Sequence, residues 1–191
     1  ARSVQQLLYG QSGYAMSLLN NGANEQAIQA LDQYQRSLKK YAPSRFDRML
    51  PNIGLLMGVS FLRIGEAENC LENHTIDSCL FPIQDAGIHR LPGGSKAASN
   101  IFQQLLRKNP DDFSARWLLN LAQMTLGDYP ANLNAAWEIP RSRFSSEASM
   151  PRFPDIAGRL GLDVDALCGG SVVDDFDGDS DLALVMTSFR L

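Results

Sequence analysis

The chain has 191 residues, of which 45% are hydrophobic and 20% charged, a composition typical of globular proteins with one or two domains. The net charge of −4 is uneven: residues 1–160 carry 16 basic and 14 acidic side chains, whereas residues 161–191 carry seven Asp and one Arg. A nearly neutral front part gives no reason to expect nucleic-acid binding, and no apolar run approaches the ~20 residues of a membrane span. Because the chain begins at Ala1 rather than Met, we expect that an upstream segment has been removed or left out.

Apolar residues at helical spacing predict two helices over residues 3–40, separated by the turn Asn20-Asn21-Gly22. Two prolines bracket residues 43–51, which we expect to form a connector. The next apolar stretch, residues 49–64, predicts a third helix that stops at Gly65. The beginning of the chain therefore predicts a series of antiparallel helices.

Residues 66–95 lose the helical period and are predicted to form an irregular insertion. Helix resumes at Ser95, a favourable N-cap residue, and a further helix ends at Gly127. Several prolines then predict a mostly extended connector over residues 128–162, with a short helix at Asp155–Leu162 and another near Ala131–Trp137.

The insertion contains Cys70, His74, Cys79 and His89. Cys70 and Cys79 are a candidate disulfide that would stabilise a loop without a core. Together with the two histidines they are instead a candidate Cys₂His₂ metal site, although the spacing lacks the C-x₂₋₄-C pair of known zinc modules. The third alternative is that both thiols are reduced and inert.

The paired helices have the spacing of a repeat. Gly22 precedes Ala27 by five residues, which is typical of the turn glycine and the small second-helix residue of a tetratricopeptide repeat. Gly65 lies 33 residues before Ala98 and 62 residues before Gly127, whereas the motif has spacings of 5 and about 34 residues. Both intervals are thus 28 residues longer than the motif, so we expect a middle repeat that is split by the insertion. The chain resembles a tetratricopeptide array of about three units, each of which buries its apolar face against its neighbours.

That resemblance implies a groove for a protein or peptide partner. Arg116 and Asn120 lie four residues apart on one helical face, where such arrays commonly hold peptides. They are therefore the candidate peptide-binding residues. No nucleophile, base and oxyanion grouping is evident in the sequence, and we expect the protein not to be an enzyme.

An Asp-rich stretch near the end of the chain lies between two predicted strands. Its candidate Ca²⁺ ligands are Asp175, Asp177, Asp179 and Asp181, since clustered carboxylate oxygens suit a hard cation. Ser180 and Met186 stand where an EF-hand needs Gly and Glu, and the flanks are not helical, so an EF-hand is excluded. The stretch fits the D-x-D-x-D-G-x-x-D loop of a β-propeller blade except at Ser180 and Ala183.

A wider pattern accompanies this loop: Phe153–Ala157, Leu160-Gly161-Leu162, Gly169-Gly170 and the Asp-rich stretch itself. In combination it resembles the entry to the first FG-GAP/VCBS blade of the ASPIC/UnbV (cartilage-acidic-protein-like) family, whose bacterial members carry a tetratricopeptide region ahead of the propeller. The resemblance implies an extracellular, cell-surface or periplasmic protein with Ca²⁺-rigidified blades and a binding role. Thirty residues cannot form a propeller, so we expect the sequence to be truncated.

The predicted fold is mainly α: a tetratricopeptide-like helical domain over residues 1–127 with an insertion at 66–95, a Pro-rich connector over 128–162, and a β-hairpin at 163–191 that starts a propeller. The predicted function is an exported protein-interaction scaffold with a structural Ca²⁺ ion. The alternative is a metal-dependent or redox protein that uses the cysteines and histidines of the insertion.

Overall fold

The computed structural model describes residues 2–144, 153–163 and 167–189. The chain divides into two compact units, Ala1–Ser145 and Ser146–Leu191. The first is a helical unit and the second, hereafter the hairpin unit, contains a two-stranded sheet. The mainly α fold with a β-hairpin at its C-terminal end is confirmed.

The first two helices are α1 (Arg2–Asn20) and α2 (Asn24–Tyr41). Gly22 in the turn between them has φ +75°, a left-handed conformation that glycine adopts without steric cost. The predicted turn is therefore confirmed. Ala27 is fully buried, as expected of a small residue where two helices approach closely.

Helix α3 (Pro43–Asn73) runs for 31 residues, so the expected connector over residues 43–51 and the stop at Gly65 were both wrong. Pro43 lies at the first helical position, where its missing N–H costs nothing, and Pro51 is accommodated inside the helix. Gly65 is buried because α4 crosses it: a Cβ there would lie 3.2 Å from the backbone nitrogen of Ser95. The glycine permits close packing and does not end the helix.

Helix α4 (Gly93–Lys108) packs antiparallel to α3 and is followed by α5 (Phe113–Leu126). The irregular part of the insertion is consequently shorter than predicted and covers residues 74–92, with 3₁₀ turns at Ile76–Cys79 and Asp85–Gly87. At the end of α5, Gly127 has φ +74° and forms the expected left-handed cap.

Two clusters of buried side chains form most of the helical core. One joins α1, α2 and α3 around Leu31, Leu38 and Ile53. The other joins α3, α4 and α5 around Phe102 and Leu119. The helices are thus stacked in chain order, and each layer buries its apolar face against the next.

Residues 128–144 form turns and a short 3₁₀ segment at Arg141–Arg143 that belong to the helical unit rather than to a free connector. The predicted short helix near Ala131–Trp137 is replaced by turns. Tyr129 is buried beside Met124 and Ile83, and its hydroxyl donates to the Ile139 carbonyl. This segment covers α5 in the place where a further helix would pack.

The hairpin unit contains α6 (Ala157–Leu160), β1 (Leu167–Asp174) and β2 (Ala183–Phe189). The strands are antiparallel, with Val172 opposite Val185 and Val173 opposite Leu184. Because adjacent residues of a strand point to opposite faces, apolar side chains lie on both faces of the sheet. All four are exposed. Within the described ranges of the chain, no helix is long and apolar enough to cross a membrane.

Candidate functional site

The Asp loop, residues 174–181, connects the two strands. Asp175, Asp177 and Asp179 each place one carboxylate oxygen within 4.8 Å of the others, and all three are exposed. Asp181 is not part of this group; its backbone N–H donates to Asp179 Oδ1 at 2.8 Å. The structure therefore brings together three of the four predicted ligands.

Asp175 organises the loop through its side chain. Its Oδ1 accepts the backbone N–H groups of Gly178 at 2.7 Å and Asp179 at 3.2 Å, and its Oδ2 accepts that of Ser180 at 3.0 Å. The Ser180 N–H, more than the others, stabilises the charged carboxylate and lowers the pKa of Asp175 below its usual value. The loop is thus closed around the Asp175 carboxylate.

Ser180 has φ +72°, a left-handed conformation that costs a non-glycine residue about 1–2 kcal/mol. It occupies the position where the blade pattern has glycine. Glycine would adopt this backbone conformation without that cost.

Three oxygen ligands within 4.8 Å of one another can hold a metal ion. Ca²⁺ takes six to eight oxygen ligands, so backbone carbonyls and water would have to complete its shell. Ala183, at the position of the last Asp in the pattern, begins β2 and offers no side-chain oxygen.

The cysteines and histidines of the insertion are only partly brought together. Cys70 and Cys79 are both exposed, and with His89 they line a cavity of 50 Å³. His74 is exposed and caps the end of α3 outside that cavity. Apart from the Asp loop, the described residues contain no three His, Cys, Asp or Glu side chains with ligand atoms within 4.8 Å of one another. The Cys₂His₂ site is not formed here, and the disulfide stays a prediction.

His89 takes part in a hydrogen-bond network that joins the insertion to α4 and α5. Its Nδ1 lies 2.9 Å from Ser95 Oγ, and Ser95 Oγ also accepts the Thr125 hydroxyl at 2.9 Å. Burial lowers the pKa of His89, opposed by the negative charge of Glu66. Ser95 is fully buried, so this Ser–His contact is closed to a substrate and its role is structural.

Arg116 and Asn120 bind a segment of the same chain. Arg116 Nε donates to the Trp137 carbonyl at 3.1 Å and its guanidinium also donates to the Glu138 carbonyl. Asn120 donates to the Trp137 carbonyl at 2.8 Å and accepts the Ile139 N–H at 2.9 Å. We call these contacts the clasp. Asn120 is fully buried beneath the clasp and Arg116 is half-buried, so both side chains already hydrogen-bond within the chain.

A groove that the sequence reasoning missed runs between α1 and α3 above α2. Its first cavity, of 450 Å³, has Gln5, Tyr9, Arg45 and Met49 among its lining residues. The second, of 310 Å³, extends to Met16 and Leu56. Both cavities share Tyr9, Ser12, Tyr34 and Met49, so they form one continuous depression, which we call the α1–α3 groove.

The sequence held one signal for this groove. Tyr9 and Met16 lie outside the apolar stripe of α1 that Leu8, Ala15 and Leu19 form, and Tyr9 is 81% exposed. Large apolar side chains beside a buried stripe indicate a second contact surface on the same helix.

Comparisons of the chain with protein-family models, with curated proteins and with solved structures found no match.

Proposed function

We propose that the protein is a protein-interaction scaffold that binds a peptide segment of its partner in the α1–α3 groove. The observation that carries the proposal is the groove itself: a continuous depression between two helices, floored by Tyr34 and rimmed by the exposed side chains of Tyr9 and Met16. Large exposed apolar side chains around a concave surface are typical of interaction sites. The role is one of binding rather than catalysis.

The groove replaces Arg116 and Asn120 as the proposed peptide site. Those two side chains already hydrogen-bond to residues 137–139 of the same chain. In contrast, Ser12 and Met49 lie at the middle of an open groove. A partner that bound there would bury exposed apolar surface without displacing any described segment of the helical unit.

Peptide binding in the groove is tested by filling the groove with a large side chain. A random dodecapeptide library displayed on phage would be panned against the intact chain, and the enriched peptides measured against Ser12→Trp and Ser17→Trp. Ser12 lines both cavities of the groove, whereas Ser17 is an exposed residue of the same helix outside it. We expect Ser12→Trp to weaken binding at least about tenfold and Ser17→Trp to leave it unchanged. Peptides that bind both variants equally would refute the proposal.

We further propose that the Asp loop binds a structural Ca²⁺ ion and that the protein is exported. Three convergent carboxylates support the ion, and the resemblance to ASPIC/UnbV proteins supports an extracellular, cell-surface or periplasmic location. Few protein ligands on an exposed loop suit a weak site. The expected Kd is about 0.1–1 mM, as in extracellular Ca²⁺ modules.

The ion is tested by following backbone amide shifts of residues 175–181 by NMR during a CaCl₂ titration. Tryptophan fluorescence would not serve, because Trp117 and Trp137 both belong to the helical unit. We expect saturable shifts that Asp177→Asn weakens and that Asp111→Asn, an exposed carboxylate of the helical unit, leaves unchanged. Shifts no larger than those caused by NaCl of equal ionic strength would contradict the Ca²⁺ site.

The alternative function, a metal-dependent or redox protein that uses the insertion, has less support from the geometry. Cys70, Cys79 and His89 border one cavity, but their ligand atoms are not grouped within 4.8 Å, and His89 is committed to Ser95. Metal analysis of the purified protein would restore this alternative if it found stoichiometric Zn, Fe or Cu.

A further inference from the structure

The two ends of the α1–α3 groove differ in chemistry. At one end it is lined by Gln5, Gln6 and Arg45, and at the other by Met16 and Leu56. Residues near the start of α1 and the start of α3 share the first end, so the two helices run parallel across the groove. A ligand that lies along the groove therefore meets a polar, cationic end and an apolar end.

The cationic end has an excess of positive charge. Lys39 and Lys40 end α2, and Arg45 and Arg48 follow at the start of α3, against the single carboxylate of Asp47. Arg45 and Arg48 are three residues apart and so lie on neighbouring positions of one helical face. All four cations are exposed.

None of these four cations has an ion-pair partner in the described part of the chain, where the salt bridge present joins Arg36 to Asp32. Lys40 instead lies over the ring of Tyr41, 4.8 Å from its centroid. Neither α1 nor α3 has an acidic residue in its first turn, so the partial positive charge at both helix starts adds to the same field. The Asp47 carboxylate and the partial negative charge at the end of α2 offset only part of this charge, so the end keeps a net positive charge.

The length of the groove determines how far apart the charged and apolar groups of a bound peptide must lie. Leu56 follows Arg45 by eleven residues on α3, which corresponds to about 16 Å along the helix axis. An extended peptide covers that distance in about five residues. A peptide that contacts both the cationic end and the apolar end of the groove therefore carries its charged group and its apolar side chain about five residues apart.

From this arrangement we infer the class of the partner, an inference that rests on the proposed function of the groove. The ligand is an acidic peptide in extended conformation, with carboxylates at the Arg45 end and an apolar side chain about five residues away, against Met16 and Leu56. Charge complementarity orients the peptide and the apolar end contributes the buried area. Lining residues at both ends are neutral or cationic, so a basic peptide is disfavoured.

The inference is tested with a fluorescein-labelled octapeptide that has Phe at its second position and Glu at its last two, in a Gly/Ser background. Its Gln-Gln and Lys-Lys versions are the matched controls. Fluorescence anisotropy with the intact chain would measure each affinity. We expect the acidic peptide to bind about tenfold more tightly than the neutral one, and this advantage to shrink as NaCl screens the charges.

The protein variants locate the effect. Arg45→Glu/Arg48→Glu is expected to abolish the preference for the acidic peptide and to favour the Lys-Lys version. Arg90→Glu, which reverses an exposed cation of the insertion outside the groove, is expected to retain the original preference. Retention of the acidic preference by the double variant would overturn the inference.

Failure of the inference can be told apart from failure of the proposed function. Equal binding of the acidic and neutral peptides, both weakened by Ser12→Trp, would overturn the acidic partner while the groove stood. If none of the three octapeptides bound while Ser12→Trp still weakened binding of the library peptides, the acidic partner would again be overturned and the groove would remain supported. If Ser12→Trp weakened the binding of no peptide in either set, both the proposed function of the groove and the acidic-peptide inference would be refuted.

Discussion

The helical unit and the hairpin unit are stabilised by different means. In the helical unit, Phe102, Leu106 and Leu119 are fully buried in a core shared by three helices. Among residues 153–163 and 169–187 of the hairpin unit no side chain is buried, and the local order there comes from cross-strand pairing and from the hydrogen bonds that Asp175 accepts. An isolated two-stranded hairpin is at best marginally stable in water.

The difference shows where each unit is vulnerable. Changes in side-chain volume should matter in the helical unit, because close-packed interiors tolerate neither cavities nor overpacking. Changes of charge or backbone conformation in the Asp loop should matter in the hairpin unit.

The largest effect is expected from Phe102→Ala. Removal of this fully buried ring should lower the free energy of unfolding of the helical unit by about 3–5 kcal/mol. Urea unfolding monitored by tryptophan fluorescence measures that unit alone, because both tryptophans belong to it. The control is Phe176→Ala, which truncates a 55% exposed ring in the Asp loop and should leave the curve unchanged. Similar losses for both variants would contradict the comparison.

A smaller effect is expected from adding one methyl group to α3. A Cβ at Gly58 would lie 2.3 Å from Cε1 of the Phe102 ring, so Gly58→Ala should destabilise the helical unit by about 1–3 kcal/mol through overpacking. The matched control is Gly10→Ala on α1, where a Cβ meets no atom within 4 Å. Better helix propensity should there raise stability by up to about 1 kcal/mol. Equal signs for the two variants, measured by urea unfolding, would refute the close contact.

In the hairpin unit, Ser180→Gly should relieve the left-handed strain at φ +72° and stabilise the loop by about 1 kcal/mol. The measurement is hydrogen exchange of the loop amides by NMR, which should slow in the variant. Ser171→Gly, a change of the same type within β1, should instead speed exchange, because glycine weakens a strand. Faster exchange in Ser180→Gly would show that the serine side chain, rather than the backbone, controls the loop.

The smallest effect concerns the pH dependence of the loop. The folded-state pKa of Asp175 is lowered, chiefly by the Ser180 N–H, so its contribution to loop order is fully present above the unfolded-state pKa. That contribution is lost as the pH falls through the folded-state pKa. The amide shifts of Gly178 and Ser180, followed by NMR from pH 7 downwards, should therefore move together at acidic pH. In Asp175→Asn that transition should be missing; its persistence there would assign it to another carboxylate.

Much of the helical fold could be predicted because its signals are local. Gly22 and Gly127 were identified as helix-ending glycines, and both have positive φ. Gly65 has the same appearance in sequence but lies inside α3, where the backbone of α4 approaches it. A turn glycine and a packing glycine are distinguished by their tertiary neighbours, which a single sequence does not contain.

The candidate sites differ in the same way: a site formed within one loop could be predicted from the sequence, whereas sites formed by residues far apart in the chain could not. The grouping of Asp175, Asp177 and Asp179 follows from alternate positions within one short loop and was predictable. The clasp was not, because Arg116 and Asn120 contact residues 17 to 22 positions away through their backbone atoms, which carry no sequence signature. The α1–α3 groove depends on the stacking of helices that are far apart in the chain.

The clasp also determines where the helical array ends. A repeat array exposes the apolar face of its last element unless something covers it, and here residues 128–144 cover α5 in place of a partner helix. Because the clasp holds main-chain carbonyl and N–H groups of residues 137–139, these bonds impose little demand on which side chains that segment carries. Four side chains of the segment do pack against the helices: Tyr129, Leu133, Trp137 and Phe144. Apart from these, the sequence of the segment can be changed without reopening the array to further repeats.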